Sequence, residues 1–220
     1  MANAKEKGKQ GLSCTDCGTG SCFKGDGLFP EFCLTTQLTD KEIDKIVELY
    51  TNDEEVKRLA IASAEVEGGF YGKYTRVEEI MEFARRIGAK KIGIATCSGL
   101  INESRIFARI LKANDFEVFG VACKVASIPK AKINIGDEYN MRPNEPMCNP
   151  VLQAKLLNKN KTELNVVVGL CVGHDSLFYK YAKAPTTTLV TKDRLTGHNP
   201  VAALYTAQSY YKRLLAGNGK

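Results

Sequence analysis

The chain has 220 residues, 44% of them hydrophobic, and carries a net charge of +6. This length and apolar content allow one well-buried domain with a small appendage. The charge is modest and clusters only in the N-terminal lysines, so it does not favour nucleic-acid binding. Residues 1–11 are polar and no apolar run is as long as a membrane helix, so we expect no signal peptide, no membrane anchor and a cytoplasmic location.

The first predicted element is a glycine-rich loop that carries four cysteines in the spacing C-x2-C-x4-C-x10-C. The loop has too few apolar residues for a core of its own, and metal ligation would order it. Four thiolates suit tetrahedral zinc and a cubane iron–sulfur cluster equally well. We therefore predict a cysteine-rich metal-binding segment over residues 1–36, followed by an α/β domain with N-terminal helices over residues 37–220. The predicted metal ligands are Cys14, Cys17, Cys22 and Cys33.

Three helices are expected next. Each begins with a threonine followed three residues later by a glutamate, the capping-box spacing in which the hydroxyl caps the third amide and the carboxylate reaches back. Apolar residues then recur at spacings of three and four, which predicts one buried stripe on each helix. The capping pairs are Thr39 with Glu42, Thr51 with Glu54 and Thr75 with Glu78, and the first stripe comprises Ile43, Ile46, Val47 and Tyr50.

After Gly88, strand-like and helical segments alternate, which is typical of βαβ units and a parallel sheet. With right-handed crossovers they predict a three-layer, Rossmann-like α/β domain whose four-strand parallel sheet has the order 2-1-3-4. A long irregular excursion over residues 127–147 has the length of a lid or binding loop. The strands are expected at Lys91–Ala95, Glu117–Ala122, Asn165–Leu170 and Thr187–Lys192, and the helices at Leu100–Ala113, Pro150–Asn158, Ser176–Lys183 and Pro200–Leu215.

A second cysteine quartet lies where this fold places its active site. Cys97, Cys123 and Cys171 each follow one of the first three strands, and Cys148 opens the helix between strands two and three. The carboxyl ends of parallel strands share one edge of the sheet, so the four thiols should converge in the crevice there. A dispersed all-thiolate site favours an iron–sulfur cluster of the 4Fe-4S type, because structural zinc usually uses paired CxxC knuckles. Thiolates that share a cubane lie about 6–7 Å apart.

Polar side chains are expected on the same rim. Both histidines of the chain, His174 and His198, follow strands three and four. Lys124 follows Cys123, and three charged residues, Lys192, Asp193 and Arg194, follow the last strand. Each has an ordinary alternative, since lysines on loops are usually solvated. Together they predict a cationic pocket for a small anionic ligand, with His174 as proton carrier and Lys124 and Lys192 as anion contacts.

The segments around the crevice cysteines carry specific motifs. They include Ile94-Ala-Thr-Cys97-Ser-Gly, Met147-Cys148-Asn149-Pro150 and Gly169-Leu-Cys171-Val-Gly-His174. Together with Lys192-Asp-Arg-Leu-Thr-Gly-His198-Asn-Pro they resemble a prokaryotic family catalogued as domain of unknown function 1847, often labelled metal-binding protein. The resemblance covers nearly the whole chain, implies metal binding and names no reaction.

Three functions remain open from the sequence. The first is an iron–sulfur protein whose crevice cluster is catalytic or binds substrate, with a small anionic ligand or a redox partner. The second is a non-enzymatic zinc-binding sensor or interaction module. The third is a thiol–disulfide oxidoreductase, although the crevice thiols contain no CxxC pair. The sequence contains neither a phosphate-binding GxxxxGK or GxGxxG motif nor a GxSxG nucleophile elbow, so nucleotide-dependent chemistry and serine hydrolysis have no support.

Overall fold

The computed structural model describes residues 11–217, which fall into two compact units, one ending at Ala64 and one beginning at Glu65. The predicted boundary after residue 36 stays a prediction. The first unit begins with a 3₁₀ turn, Cys14–Asp16, and two single helical turns, α1 (Ser21–Lys24) and α2 (Leu34–Gln37). Two longer helices follow, α3 (Asp40–Asn52) and α4 (Glu54–Phe70), and α4 continues into the second unit.

Two of the three predicted capping boxes form. Thr39 caps α3 with Glu42, and Thr75 caps α5 (Arg76–Arg86) with Glu78. The box predicted at Thr51 is wrong, because the Thr51 hydroxyl lies inside α3 and donates to the Val47 carbonyl at 3.0 Å. Asp53 starts α4 instead, since its Oδ1 accepts from the amides of Glu55 and Val56 at 2.9 and 3.0 Å.

The apolar stripe of α3 is not buried as the sequence predicts. Its members leave roughly half of their surface in contact with solvent, which identifies an amphipathic helix without a partner for its apolar face in the described chain. The exposed fractions are 43% for Ile43, 56% for Ile46, 52% for Val47 and 51% for Tyr50.

A parallel four-strand sheet forms the centre of the second unit, in the order β2-β1-β3-β4. Flanked by helices, it confirms the predicted three-layer α/β fold and the predicted strand order. The strands are β1 (Lys91–Thr96), β2 (Glu117–Ala122), β3 (Leu164–Val168) and β4 (Thr186–Val190). All five residues of β3 are buried, as a near-continuous apolar run in a covered parallel sheet requires.

Four more helices complete the unit: α6 (Ile101–Ala113), α7 (Pro150–Lys159), α8 (His174–Tyr181) and α9 (Val201–Tyr205). The single helix predicted over Pro200–Leu215 is wrong, because α9 stops at Tyr205 and only a 3₁₀ turn, Lys212–Leu214, follows. Leu204 and Tyr210 are 70% and 88% exposed. Without a packed apolar face this segment lacks the main source of helix stability.

The hydrophobic core reaches the carboxyl edge of the sheet. Cys123 is buried in one cluster with Ala95, Val167 and Phe178, and Cys97 and Cys148 pack against that cluster. An antiparallel bridge between Pro129 and Pro146 pairs the two ends of the excursion after β2. Among the described helices, none has the length and apolar composition that a membrane span requires.

Candidate functional site

The sheet places Cys97 and Cys123 side by side. The last residues of β1 and β2, Thr96 and Ala122, are paired in register. The ladder continues one step beyond them, because the Cys123 amide donates to the Thr96 carbonyl at 2.8 Å and the Cys97 amide donates to the Val168 carbonyl at 3.0 Å. The backbone at both cysteines is therefore held in place by hydrogen bonds of the sheet.

Helix α7 brings Cys148 to the same place. Its cap residue, Asn149, accepts from the Leu152 amide at 3.0 Å and donates its own amide to the Cys123 carbonyl at 2.7 Å. Gln153, fully buried one turn later, donates from Nε2 to the carbonyls of Thr96 and Val121 at 3.1 and 2.7 Å. The Gln153 side chain thus joins α7, which follows Cys148, to the ends of β1 and β2, which precede Cys97 and Cys123.

The three thiols form a compact group around Cys123. The Cys123 sulfur lies 3.8 Å from the Cys148 sulfur, 3.3 Å from the Ser98 amide, which donates to it, and 3.4 Å from the Ser98 hydroxyl. The sulfur separation is shorter than the 6–7 Å expected from the sequence, because the two thiols hydrogen-bond to each other. This contact lowers the pKa of Cys148 to about 7, whereas hydrogen bonding with Cys123, together with burial, raises the pKa of Cys97.

Cys171 is the fourth cysteine of the crevice and lies in the turn after β3. After β3 the chain turns at Gly169, whose φ is +68°, and a Cβ there would lie 2.0 Å from Cδ1 of Leu100. The sulfur of Cys171 accepts a hydrogen bond from the Arg194 guanidinium at 3.1 Å. Charge on either Cys171 or Cys97 raises the pKa of Cys148, so both sulfurs lie within electrostatic range of it. Among residues 11–217, however, no group of three or more histidine, cysteine or acidic side chains has the arrangement that would hold a single metal ion.

Lys124 lies on the predicted rim, but its ammonium is engaged by the protein. It donates to Glu145 at 2.7 Å and to the Pro146 carbonyl at 2.6 Å. Glu145 is only 4% exposed and also accepts from Lys130 at 2.7 Å. These two lysines hold the pKa of Glu145 at about 2. Lys124 is therefore less suited to hold a substrate than the sequence predicts, and it ties the segment before Cys148 to the end of β2.

Lys192 and His174 are better placed for a ligand. A Cβ on Gly99 would lie 3.4 Å from the Lys192 ammonium and 3.8 Å from the Cys97 sulfur, so this ammonium lies beside the thiols. Within the described chain no acceptor hydrogen-bonds to it. His174, the first residue of α8, is half-buried, and burial lowers its pKa. The imidazole is consequently neutral at pH 7, the form that accepts a proton.

His198 has a local structural contact. Its Nδ1 accepts from the Asp193 amide at 3.2 Å, which closes the turn after β4. The sequence places Arg194 on the rim together with Lys192, but it assigned no role to Gln153 or Glu145. Gln153 bonds to Val121 and Glu145 bonds to Lys124, both more than 20 residues away, and no local pattern identifies these pairs.

The N-terminal quartet lines a separate cavity of about 130 Å³ in the first unit, with Cys14, Cys17, Cys22 and Cys33 all in its wall. Cys14 begins the 3₁₀ turn, Cys22 lies in α1, and Cys33 caps α2. The Thr19 hydroxyl lies 3.5 Å from the Cys17 sulfur, and hydrogen bonds from this hydroxyl and the Gly20 and Thr19 backbone lower the pKa of Cys17. The structure thus gathers all four predicted ligands around one space.

Comparison with known proteins gives a family and a distant structural likeness. The family model described as protein of unknown function (DUF1847) matches residues 33–189. An uncharacterised protein from Methanocaldococcus jannaschii is 45% identical over 211 residues, covering 94% of this chain and 100% of that protein. Among solved structures, Dph2 from Pyrococcus horikoshii with a 4Fe-4S cluster matches 64% of this chain and 33% of its own, with a TM-score of 0.34 and 20% identity. A likeness this distant transfers neither fold nor cofactor.

Proposed function

The chain belongs to the family described as protein of unknown function (DUF1847), as its motifs predict. Because that description names no reaction, we propose a function from the residues of the crevice. We propose that the chain is an iron–sulfur protein whose crevice cluster binds a small anionic substrate and takes part in its redox or acid–base chemistry. The observation that carries the proposal is that the Lys192 ammonium and the Arg194 guanidinium lie beside the crevice thiols at the carboxyl edge of the sheet. This is where open α/β sheets bind their ligands.

The arrangement of the sulfurs supports a cluster with one accessible iron. Cys97, Cys123 and Cys148 are held by the sheet, by α7 and by Gln153. The Cys171 sulfur is held instead by the Arg194 guanidinium, from a turn outside the strands. The first three residues would be the firm ligands. Cys171 would be the fourth, and its displacement would open one iron to substrate. A bound cluster supplies electron transfer and a Lewis-acidic iron.

The rim supports an anionic substrate. Lys192 and Arg194 would hold its negative charge beside the cluster, since Lys124 is neutralised by Glu145. His174, neutral and half-buried, would accept or return a proton at the substrate. We also infer a compartment in which thiols stay reduced, such as the cytoplasm, because all eight cysteines are unpaired.

The test is anaerobic purification followed by iron and sulfide analysis and electron paramagnetic resonance with small anions and thiols. We expect a brown protein whose crevice signal shifts with at least one of these ligands. Cys123→Ser should remove the crevice cluster, Cys171→Ser should keep it, and His174→Ala should change the ligand response without iron loss. A crevice signal that no ligand moves and that His174→Ala leaves unchanged would mean a structural or electron-carrying cluster.

A zinc-binding, non-enzymatic sensor is the second candidate, and one distance favours it. The 3.8 Å between the sulfurs of Cys123 and Cys148 equals the edge of a tetrahedron with Zn–S bonds of about 2.3 Å. Metal analysis separates the two candidates directly. A colourless anaerobic preparation with stoichiometric zinc and no acid-labile sulfide would replace the iron–sulfur proposal by the sensor.

A further inference from the structure

The cavity of the first unit is lined by the N-terminal quartet and by no crevice residue. We propose that Cys14, Cys17, Cys22 and Cys33 hold a closed 4Fe-4S cluster, one thiolate to each iron, and not a zinc ion. The proposal goes beyond the crevice function and does not depend on it, because no crevice residue takes part. It rests on the size of the cavity, on the atoms that line it and on the hydrogen bonds to its sulfurs.

Size separates a cluster from a single ion. Four thiolates around zinc lie about 3.8 Å apart, given Zn–S bonds of about 2.3 Å, and their own volume fills the space between them. The four cysteines here instead surround a cavity of about 130 Å³. A single water needs only about 10–15 Å³ of such space. The cavity is therefore roughly tenfold larger than one atom-sized occupant requires.

The wall of the cavity selects a sulfur-rich occupant. Its lining contains thiols and a few hydroxyls but no carboxylate and no imidazole. Thiolate donors without oxygen or nitrogen ligands favour iron–sulfur clusters, zinc or copper(I), and disfavour magnesium and calcium. The rest of the wall is largely apolar, and such a lining lowers the polarity around a cluster, which affects its reduction potential. The apolar lining residues are Phe29, Pro30, Phe32 and Leu34.

Hydrogen bonds to sulfur fit an anionic cluster. Gly20 adopts a left-handed φ of +62°, which turns the chain between Cys17 and Cys22. The Thr19 hydroxyl lies 3.5 Å from the Cys17 sulfur. Donors to ligand sulfurs stabilise the reduced, more negative cluster and raise its potential. With four protein thiolates every iron is occupied, so this centre carries electrons or orders the loop, and it binds no substrate.

The experiment uses the full-length chain with Cys123→Ser, so that the crevice contributes no cluster. After anaerobic reconstitution with ferrous iron and sulfide we expect about four iron and four sulfide atoms per chain and cubane absorption. Adding Cys17→Ser and Cys33→Ser should abolish both. Thr35→Ala, which removes a lining hydroxyl but no thiol, should leave both unchanged.

Native alkylation of the Cys123→Ser protein provides a readout that needs no change in the loop. The four thiols should be protected after reconstitution and become reactive after chelation. Stoichiometric zinc that resists replacement by iron and sulfide would overturn the proposal, as would full iron retention after Cys17→Ser and Cys33→Ser. The crevice is judged separately, in a Cys17→Ser, Cys33→Ser chain with Cys123 intact.

Discussion

At the scale of single residues, buried polar side chains connect the elements that carry the crevice cysteines. Gln153 bonds to two strand-end carbonyls, and Glu145 joins Lys124 to Lys130 across the excursion. Each satisfies partners from distant parts of the chain, and a buried group left without its partner costs about 1–3 kcal/mol. The thiols are thus positioned by residues that never touch a ligand.

Glu145→Gln should make the free energy of unfolding less dependent on pH in the acid range. The folded pKa of Glu145 is about 2, below its usual range, so its ion pairs contribute fully above the unfolded pKa of about 4.3 and are lost as the pH falls toward 2. We expect Glu145→Gln to lower the free energy of unfolding at pH 7 and to approach wild type near pH 2. Urea denaturation across this range measures the difference. Glu138→Gln, at an exposed position of the same excursion, should show no such trend.

Two glycines on either side of Cys171 provide a matched pair. Both have positive φ, +68° at Gly169 and +82° at Gly173, and an alanine at either pays about 1–3 kcal/mol of backbone strain. Only Gly169→Ala also places a Cβ 2.0 Å from Leu100, in the core below Cys97. We expect it to lower the free energy of unfolding by more than Gly173→Ala, as measured by chemical denaturation. Equal losses would contradict the clash.

At the scale of elements, the first turn of α4 shows how two capping signals compete. Thr51 has the spacing of a cap but remains within α3, whereas Asp53 accepts from two amides of α4. A helix that is already capped at Thr39 extends through Thr51, because each further residue adds a hydrogen bond at little entropic cost. The boundary between the helices therefore moves to the next residue that can cap.

Asp53→Ala should lower the free energy of unfolding by about 1 kcal/mol, the usual worth of an N-cap. Thr51→Ala should change it by less than about 0.5 kcal/mol, because that hydroxyl only supplements the α3 ladder. Equilibrium denaturation of both variants tests the assignment. The opposite ranking would restore Thr51 as the cap.

At the scale of the whole molecule, the two proposed metal centres belong to different compact units, so we expect them to lose metal and structure independently. The first unit holds its cysteines in turns of only three or four residues, whereas the second has a buried sheet. Chelation should expose residues 12–36 to protease and leave the α/β unit resistant, because only the loop depends on metal for its order. Mass spectrometry of the fragments identifies the cleavage sites. A loop that stays protected after all metal is removed would refute this dependence.

The sequence by itself determined the features that depend on neighbouring residues or on the parallel direction of the strands. Apolar runs predicted the four strands, and right-handed crossovers predicted their order. The direction of the strands also put Cys97, Cys123 and Cys171 at one edge of the sheet, and their convergence on one metal centre stays a prediction. Only the tertiary structure decided that the Lys124 ammonium is paired with a carboxylate and that the Lys192 ammonium, within the described residues, is not. Lys124 reaches Glu145, 21 residues further along the chain, because the segment between them folds back on β2. The tertiary structure also decided that α9 ends early, because helical periodicity cannot tell whether an apolar face finds a partner, and packing, not propensity, provides most of a helix's stability.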